Sequence, residues 1–385
     1  MTKLQRLFNI AIPGLLLPMS LGTCYNYSQY AKNIMEIFNI TKFSADIGFT
    51  LIIFFLGMTA AFCGKYVAMF PKRMGIISTI LFVFGMILLA ISTYFNFLPL
   101  YYIACSCLGS GCGIGYVVPI KQIMMAFEHN KGMAAGLCIG GFGLGKFVFA
   151  PIFEYLLSTF TLPLVFTILS GIFLIIMSIA CLLFKPNPAF ISTQYTVAKY
   201  SDLLHSVFIK KSYISIWFMF FINITCGLAL ISQEKGLLQA AGFTIIAILM
   251  SSTAIANMAG RFGMSTLSDY IGRKASYHYI CSIGILGAFL CYTQIPLLIV
   301  IGILLIEFAY GSNFACLPSL LSKQFGTNNV STVHAMTLSG WSFAGIAGPI
   351  LGNLFTDNTL YLVLALLYFI GFLGFTIFVK RDNVA

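Results

Sequence analysis

Lys146, Arg261 and Glu307 each interrupt a long apolar run. A charge placed in hydrocarbon costs roughly 2.5–3.5 kcal/mol on insertion scales. Three such residues in one chain therefore point to a polar cavity inside a membrane-embedded bundle. Two cations and one acid leave one positive charge over, and an anionic substrate would neutralise it. The competing reading is mutual neutralisation, in which Glu307 pairs with Arg261 or Lys146 and only fixes the bundle. A second constellation, Asp269-x-x-Gly272-Arg273-Lys274, sets an acid beside two basic residues in a loop. It reads either as a latch that is broken and remade as helices move or as a solvated turn.

The elements that must position these residues follow from composition. Of 385 residues, 59% are hydrophobic and 8% charged, with a mean hydropathy of +0.97, whereas a globular chain carries about 25% charged residues. Soluble enzymes, nucleic-acid binders and disordered regulators are excluded in spite of the net charge of +11. A membrane span needs about 20 apolar residues. Six such segments fall at 8–30, 46–70, 74–95, 99–125, 132–157 and 161–184. Six more fall at 213–233, 241–267, 275–294, 296–321, 331–355 and 360–379, after a polar stretch over 185–211. The expected fold is an all-α integral membrane protein of twelve transmembrane helices in two six-helix bundles, residues 1–184 and 212–385, joined by a cytoplasmic linker. Such a layout belongs to transporters built from repeats.

Sixteen of the twenty-one Lys and Arg residues fall on the cytoplasmic side if the N-terminus is inside; only Lys32, Lys42 and Lys235 fall outside. The positive-inside rule then places both termini in the cytoplasm of a multi-pass protein of the cell (plasma or inner) membrane. Lys3 and Arg6 before the apolar run Phe8–Leu21 imitate a signal peptide, but with so many spans following they read as a retained first helix. The eleven cysteines are odd in number, lack a CxxC and lie in apolar stretches. They read as small buried hydrophobes rather than a disulfide framework or metal site. Glycines at 109, 111, 113 and 115, and at 132, 136, 140, 141, 143 and 145, suit close helix packing in a membrane. No GxGxxG register after a strand supports a phosphate loop. No cofactor and no metal is expected. The expected partners are a small organic anion and membrane lipid, with no nucleic acid, and the chain is expected to be a monomer. An enzyme is not expected, since one buried Glu supplies neither a nucleophile nor an acid pair. A non-transporting receptor or sensor on the same scaffold would bind without flux.

Twelve segments with Asp269-x-x-Gly272-Arg273-Lys274 resemble the major facilitator superfamily, whose intracellular loop motif reads D-R-x-G-R-R; Tyr270 replaces one Arg. The first-half loop Gly64 to Arg73 keeps the basic residues and lacks the acid. The segments Gly115-Tyr116-x-x-Pro119, Lys131 to Gly136 with Gly141-Phe142-Gly143, Gly227 to Gln233, Asn257-x-x-Gly260-Arg261, Tyr310-Gly311-x-x-Phe314 and Ala344 to Pro349 together resemble the oxalate–formate antiporter family. That resemblance implies that Arg261 holds a transported carboxylate near the midplane, with Tyr25 and Tyr116 at aromatic cavity positions. A guanidinium suits the role because its planar fork donates two parallel hydrogen bonds to two oxygens. The family's oxalate transporter pairs this arginine with a lysine in the eleventh helix. Here Trp341 stands at that place, suited to stack over a planar anion or over the arginine. Lys146 in the fifth helix reads as the displaced second cation. Proton-coupled relatives carry an acid where Asn257 stands, and an amide takes no proton. Anion exchange is thus the expected mode; proton-coupled monocarboxylate symport is the alternative, kept open by Glu307.

Overall fold

The computed structural model describes residues 2–127, 131–191, 200–326, 330–355 and 358–379. Lys199, Lys380 and Arg381, three of the cations assigned to the cytoplasmic side, lie outside the described residues. Among the described residues ten helices are long and apolar enough to cross a membrane. These include α1 (Leu4–Phe38), α2 (Lys42–Met69), α3 (Pro71–Tyr94), α4 (Leu98–Ala126), α5 (Lys131–Thr159), α6 (Leu162–Leu183) and α7 (Lys211–Ile231). Local chemistry sets their ends. Asn39 closes α1 in the left-handed conformation at φ 50°, a turn that Asn tolerates. Thr41 caps α2 by accepting from the Ser44 amide at 3.3 Å, and Pro71 opens α3 at a position where no amide is needed.

The fourth, eighth and eleventh segments differ from expectation, because none is one unbroken helix: α4 is interrupted at Val118 and Pro119. The chain after α7 forms α8 (Glu234–Ala240) and α9 (Ile246–Ala259), then a π-helical turn over Gly260–Met264, then α10 (Ser265–Ile271). Gly260 and Gly263 bring the poorest non-proline helix propensity into that stretch, and π-turns concentrate at functional sites. Two full spans follow, α11 (Arg273–Tyr292) and α12 (Pro296–Phe325). The eleventh segment is α13 (Val330–Thr337) and α14 (Ser339–Leu354), meeting at Leu338, and α15 (Thr359–Phe378) ends the described chain.

The broken elements occupy the interior. The α5 helix packs on α1 so closely that a Cβ at Gly145 would lie 2.0 Å from the Met19 carbonyl oxygen. The α12 helix approaches α9 to the same degree, with a Cβ at Gly311 falling 2.1 Å from the Asn257 oxygen. Small residues thus bring backbones together, as helix packing in lipid requires, and both close approaches flank charged residues. On the periphery Phe62, Ile80, Ile175, Leu182 and Leu366 are exposed, the apolar face that a bilayer covers. Both described ends of the linker are tied to the bundle: the Asn187 amide donates to the Gln122 side chain at 3.0 Å, and the Tyr200 hydroxyl donates to the Ala61 carbonyl at 2.8 Å. All eleven cysteines are free thiols, eight of them buried.

Candidate functional site

Lys146 points from α5 into a space bounded by α8, α9 and α12. Its ammonium donates to Glu234 Oε2 at 2.6 Å, to Glu307 Oε1 at 2.9 Å and to Thr253 Oγ1 at 3.4 Å. Three donors meet three acceptors, so the group is saturated. Thr253 also donates to the other oxygen of Glu234. Glu307 Oε2 accepts from Asn257 Nδ2 at 2.7 Å, and Asn257 Oδ1 accepts from Arg261 Nε at 2.7 Å. A continuous chain of hydrogen bonds therefore runs Thr253–Glu234–Lys146–Glu307–Asn257–Arg261. Every member is buried.

This chain decides between the readings left open by sequence. Glu307 pairs with Lys146, not with Arg261, which it reaches only through the Asn257 amide. The buried charge also differs from expectation, because Glu234 joins it. Glu234 directly follows the seventh apolar segment and reads in sequence as an outer loop residue, whereas it is 1% exposed. Within this chain two acids face two cations, so its formal sum is zero rather than one positive charge; Asp46 on α2 is a further buried acid outside it. Lys146 has no N–H left to offer an anion. In this arrangement Lys146 belongs to the ion-pair cluster.

Arg261 sits on the π-turn and differs from Lys146 in its company. No carboxylate touches it among the described residues. Nε goes to Asn257, Nη1 to the Ile139 carbonyl at 3.1 Å, and Nη2 has no partner. The guanidinium carbon lies 5.1 Å from the Phe314 ring centroid and 5.7 Å from that of Phe142. Cation–π contacts of this kind are worth about 2 kcal/mol when desolvated, less than a full counter-charge.

The same two rings gather the aromatic candidates. Tyr116 lies 5.2 Å from Phe142 and 6.2 Å from Phe314, and Trp341 lies 6.1 Å and 4.3 Å from them. Tyr116 and Trp341 contact each other at 5.4 Å. Tyr25 touches Phe142 at 6.0 Å, and its hydroxyl bonds that of Tyr310 at 2.9 Å, joining α1 to α12. The Tyr116 hydroxyl and the Trp341 indole N–H are buried without partners, like Arg261 Nη2. Three orphaned donors thus surround one pair of rings, and buried donors are otherwise nearly always satisfied.

Two further contacts bracket this centre. Asp46 on α2 accepts from Tyr27 of α1 at 3.2 Å and from Asn353 of α14 at 3.2 Å. At the far end of α10, Arg273 bonds both Asp269 and Ser268. Gly272 turns the chain between them at φ 87°. The Asp269–Arg273 pair therefore ties α10 to α11, while the Ser265 hydroxyl on α10 sits against Gly136 of α5.

Sequence reasoning named Arg261, Tyr25, Tyr116, Trp341, Glu307 and Asn257, and the structure brings all six into one connected region. It missed Glu234, Thr253, Tyr310, Phe142 and Phe314. The last three stood inside quoted motifs, but apolar and tyrosine residues are too common here to single out.

Comparison with known proteins agrees with this architecture. The profile of the Major Facilitator Superfamily matches residues 7–349, and the chain belongs to that superfamily, a multi-pass integral membrane transporter. It is 27% identical over 334 residues to the uncharacterized MFS-type transporter YhjX of Escherichia coli (strain K12), covering 85% of this chain and 83% of that protein. It is 25% identical over 394 residues to the oxalate:formate antiporter of Oxalobacter formigenes, covering 98% and 92%. Among solved structures, the human organic anion transporter MFSD10 (TETRAN) superposes with a TM-score of 0.73 at 13% identity, covering 97% of this chain and all of that one.

The ion-pair cluster carries its own test. Removing the cation from between two buried carboxylates leaves both uncompensated, which costs about 3–5 kcal/mol. Lys146→Met is therefore expected to lower the thermal unfolding temperature of the detergent-purified protein sharply. Lys146→Met with Glu234→Gln and Glu307→Gln, which removes all three charges, should recover most of the loss. Equal stability of the single and triple variants would show that the cluster is not the source.

Proposed function

We propose that the protein is a secondary transporter of a small organic anion, a mono- or dicarboxylate, working by alternating access and exchanging one anion for another. It works in the cell membrane with both termini in the cytoplasm, and the two halves 1–184 and 212–385 rock about the central site. The observation that carries this reading is the set of orphaned donors. Arg261 Nη2, Tyr116 and Trp341 lie around the Phe142–Phe314 pair without acceptors. An anion with two oxygens on one carbon can accept from the unpartnered Nη2 and from a hydroxyl or indole N–H together. Its flat face stacks on the surrounding rings. The likeness to the oxalate:formate antiporter supports a carboxylate in particular.

Asn257 and the saturated Lys146 favour exchange. Asn257 has no proton to give up or take on at physiological pH, and Lys146 holds Glu307 as a counter-ion. A second reading, proton-coupled monocarboxylate symport, draws on Glu234. With the charges of the Glu234–Lys146–Glu307–Asn257–Arg261 chain summing to zero, an incoming monoanion leaves one negative charge there, which a proton on either carboxyl would cancel.

Three outcomes are expected in proteoliposomes offered a panel of labelled mono- and dicarboxylates. Arg261→Lys keeps the charge but loses the planar fork. With a charged hydrogen bond worth about 1.5–3 kcal/mol, substrate-induced thermal stabilisation should weaken roughly tenfold to a hundredfold in concentration. Wild-type binding by this variant would remove the anchor role. Asp269→Asn should lower maximal flux with little change in affinity, because the motif lies about eight residues, roughly 12 Å of helix, from Arg261; a large affinity loss at normal turnover would reassign it. Glu307→Gln should preserve counterflow across the pH range. Loss of gradient-driven uptake with exchange intact would instead establish symport, and collapse of both would mark a structural pair.

A further inference from the structure

A further polar feature lies outside the central cage and its ion-pair cluster. A cavity of about 30 Å³ opens between the ends of α2, α4, α12 and α13, on the side where the linker is pinned. Its lining includes Lys121, Gln122, Pro318 and His334. His334 is 3% exposed and its Nε2 has no partner. A buried imidazole nitrogen without an acceptor or donor is a rarity that calls for a ligand. The cavity at this volume holds a water or two.

Its position relative to the cage gives it meaning. Three elements line both places. The α4 helix gives Tyr116 to the cage and Lys121 to the cavity, α12 gives Phe314 and then Pro318, and the eleventh segment gives Trp341 and His334. The His334 ring stands 6.3 Å from that of Tyr116. Between the two sites α4 is interrupted at Val118 and Pro119, and the eleventh segment is interrupted at Leu338. Breaks of this kind are where helices bend. The cavity and the cage are thus neighbours separated by two bendable joints.

We propose that this cavity is the closed form of a second carboxylate site, an inner station that the anion occupies between Arg261 and the linker face. His334, in the tautomer with its proton on Nε2, donates to the carboxylate, and Lys121 supplies the positive charge. The assignment rests on the reading of the protein as a carboxylate transporter. It adds a site, on different residues, that acts on one face only.

The test measures half-saturating concentrations of labelled formate and oxalate separately at the two faces, in proteoliposomes of defined orientation. Wild type, His334→Gln and Lys121→Gln are compared. The expected result is an increase of about tenfold at the linker face, the loss of one charged hydrogen bond, with the opposite face unchanged within about twofold. Lys121→Gln carries the same comparison if His334→Gln does not fold. A matching gain of affinity at the opposite face would mean only that the conformational equilibrium had shifted, and would overturn the station. Equal effects at both faces, or none, would also overturn it while leaving the central carboxylate site standing. If wild type moves neither these nor any other carboxylate of the panel, the transport reading and the inner station fall together.

Discussion

An ammonium buried in an apolar bundle is tolerable only if its charge is met at contact distance, and Lys146 meets that condition twice. The effective cost of desolvating each ion is several kcal/mol, so Lys146 cannot be placed on α5 without acids from elsewhere. Those acids come from α12 and from the start of α8. Their backbones must therefore converge on α5, and α9 is the helix that both α5 and α12 approach: a Cβ at Gly143 would lie 3.0 Å from Met258, and one at Gly311 2.1 Å from the Asn257 oxygen. The break after α7 follows from the same demand. Glu234 reaches Lys146 because the chain turns inward there instead of continuing as a straight span.

Arg261 is held by the opposite logic. Its neighbours are an amide, a backbone carbonyl and two ring faces, all polarisable and none anionic. Had Glu307 bonded Arg261 directly, the guanidinium would be neutralised and a second anion would gain little by entering. Asn257 prevents this while keeping the two charges linked, since its amide donates to Glu307 and accepts from Arg261. An Asp at this position would compete with a carboxylate substrate for the same cation. An aliphatic residue would leave both Glu307 and Arg261 short of a partner. The amide is the side chain that satisfies both and cancels neither.

The difference between what the sequence shows and what it conceals has a physical origin in these contacts. Charges inside apolar runs stand out because they violate the hydrophobic pattern, which is why Arg261, Lys146 and Glu307 are legible. Glu234 is not, since a charge at the edge of an apolar run is what any loop presents. Its burial depends on a turn that periodicity does not encode. Pairing is likewise invisible: in sequence Glu307 is equally available to either cation, and only the crossing of α5 and α12 selects Lys146. Phe142 and Phe314 are hidden for the converse reason. In a chain with 38 phenylalanines, two that hold a guanidinium look like the many that face lipid. The interruptions of the fourth, eighth and eleventh segments are equally hidden, because a long apolar stretch looks the same whether or not its helix is broken.

The interruption over Gly260–Met264 falls where Arg261 stands. Its Nε reaches Asn257 one turn back, at the ordinary i, i+4 spacing of a helix, while its Nη1 reaches the Ile139 carbonyl on α5. The side chain is thereby held by two helices, and its Nη2 is left without a partner. The guanidinium's orientation is set by groups that carry no charge of their own, so the anion proposed to bind there would find it already placed.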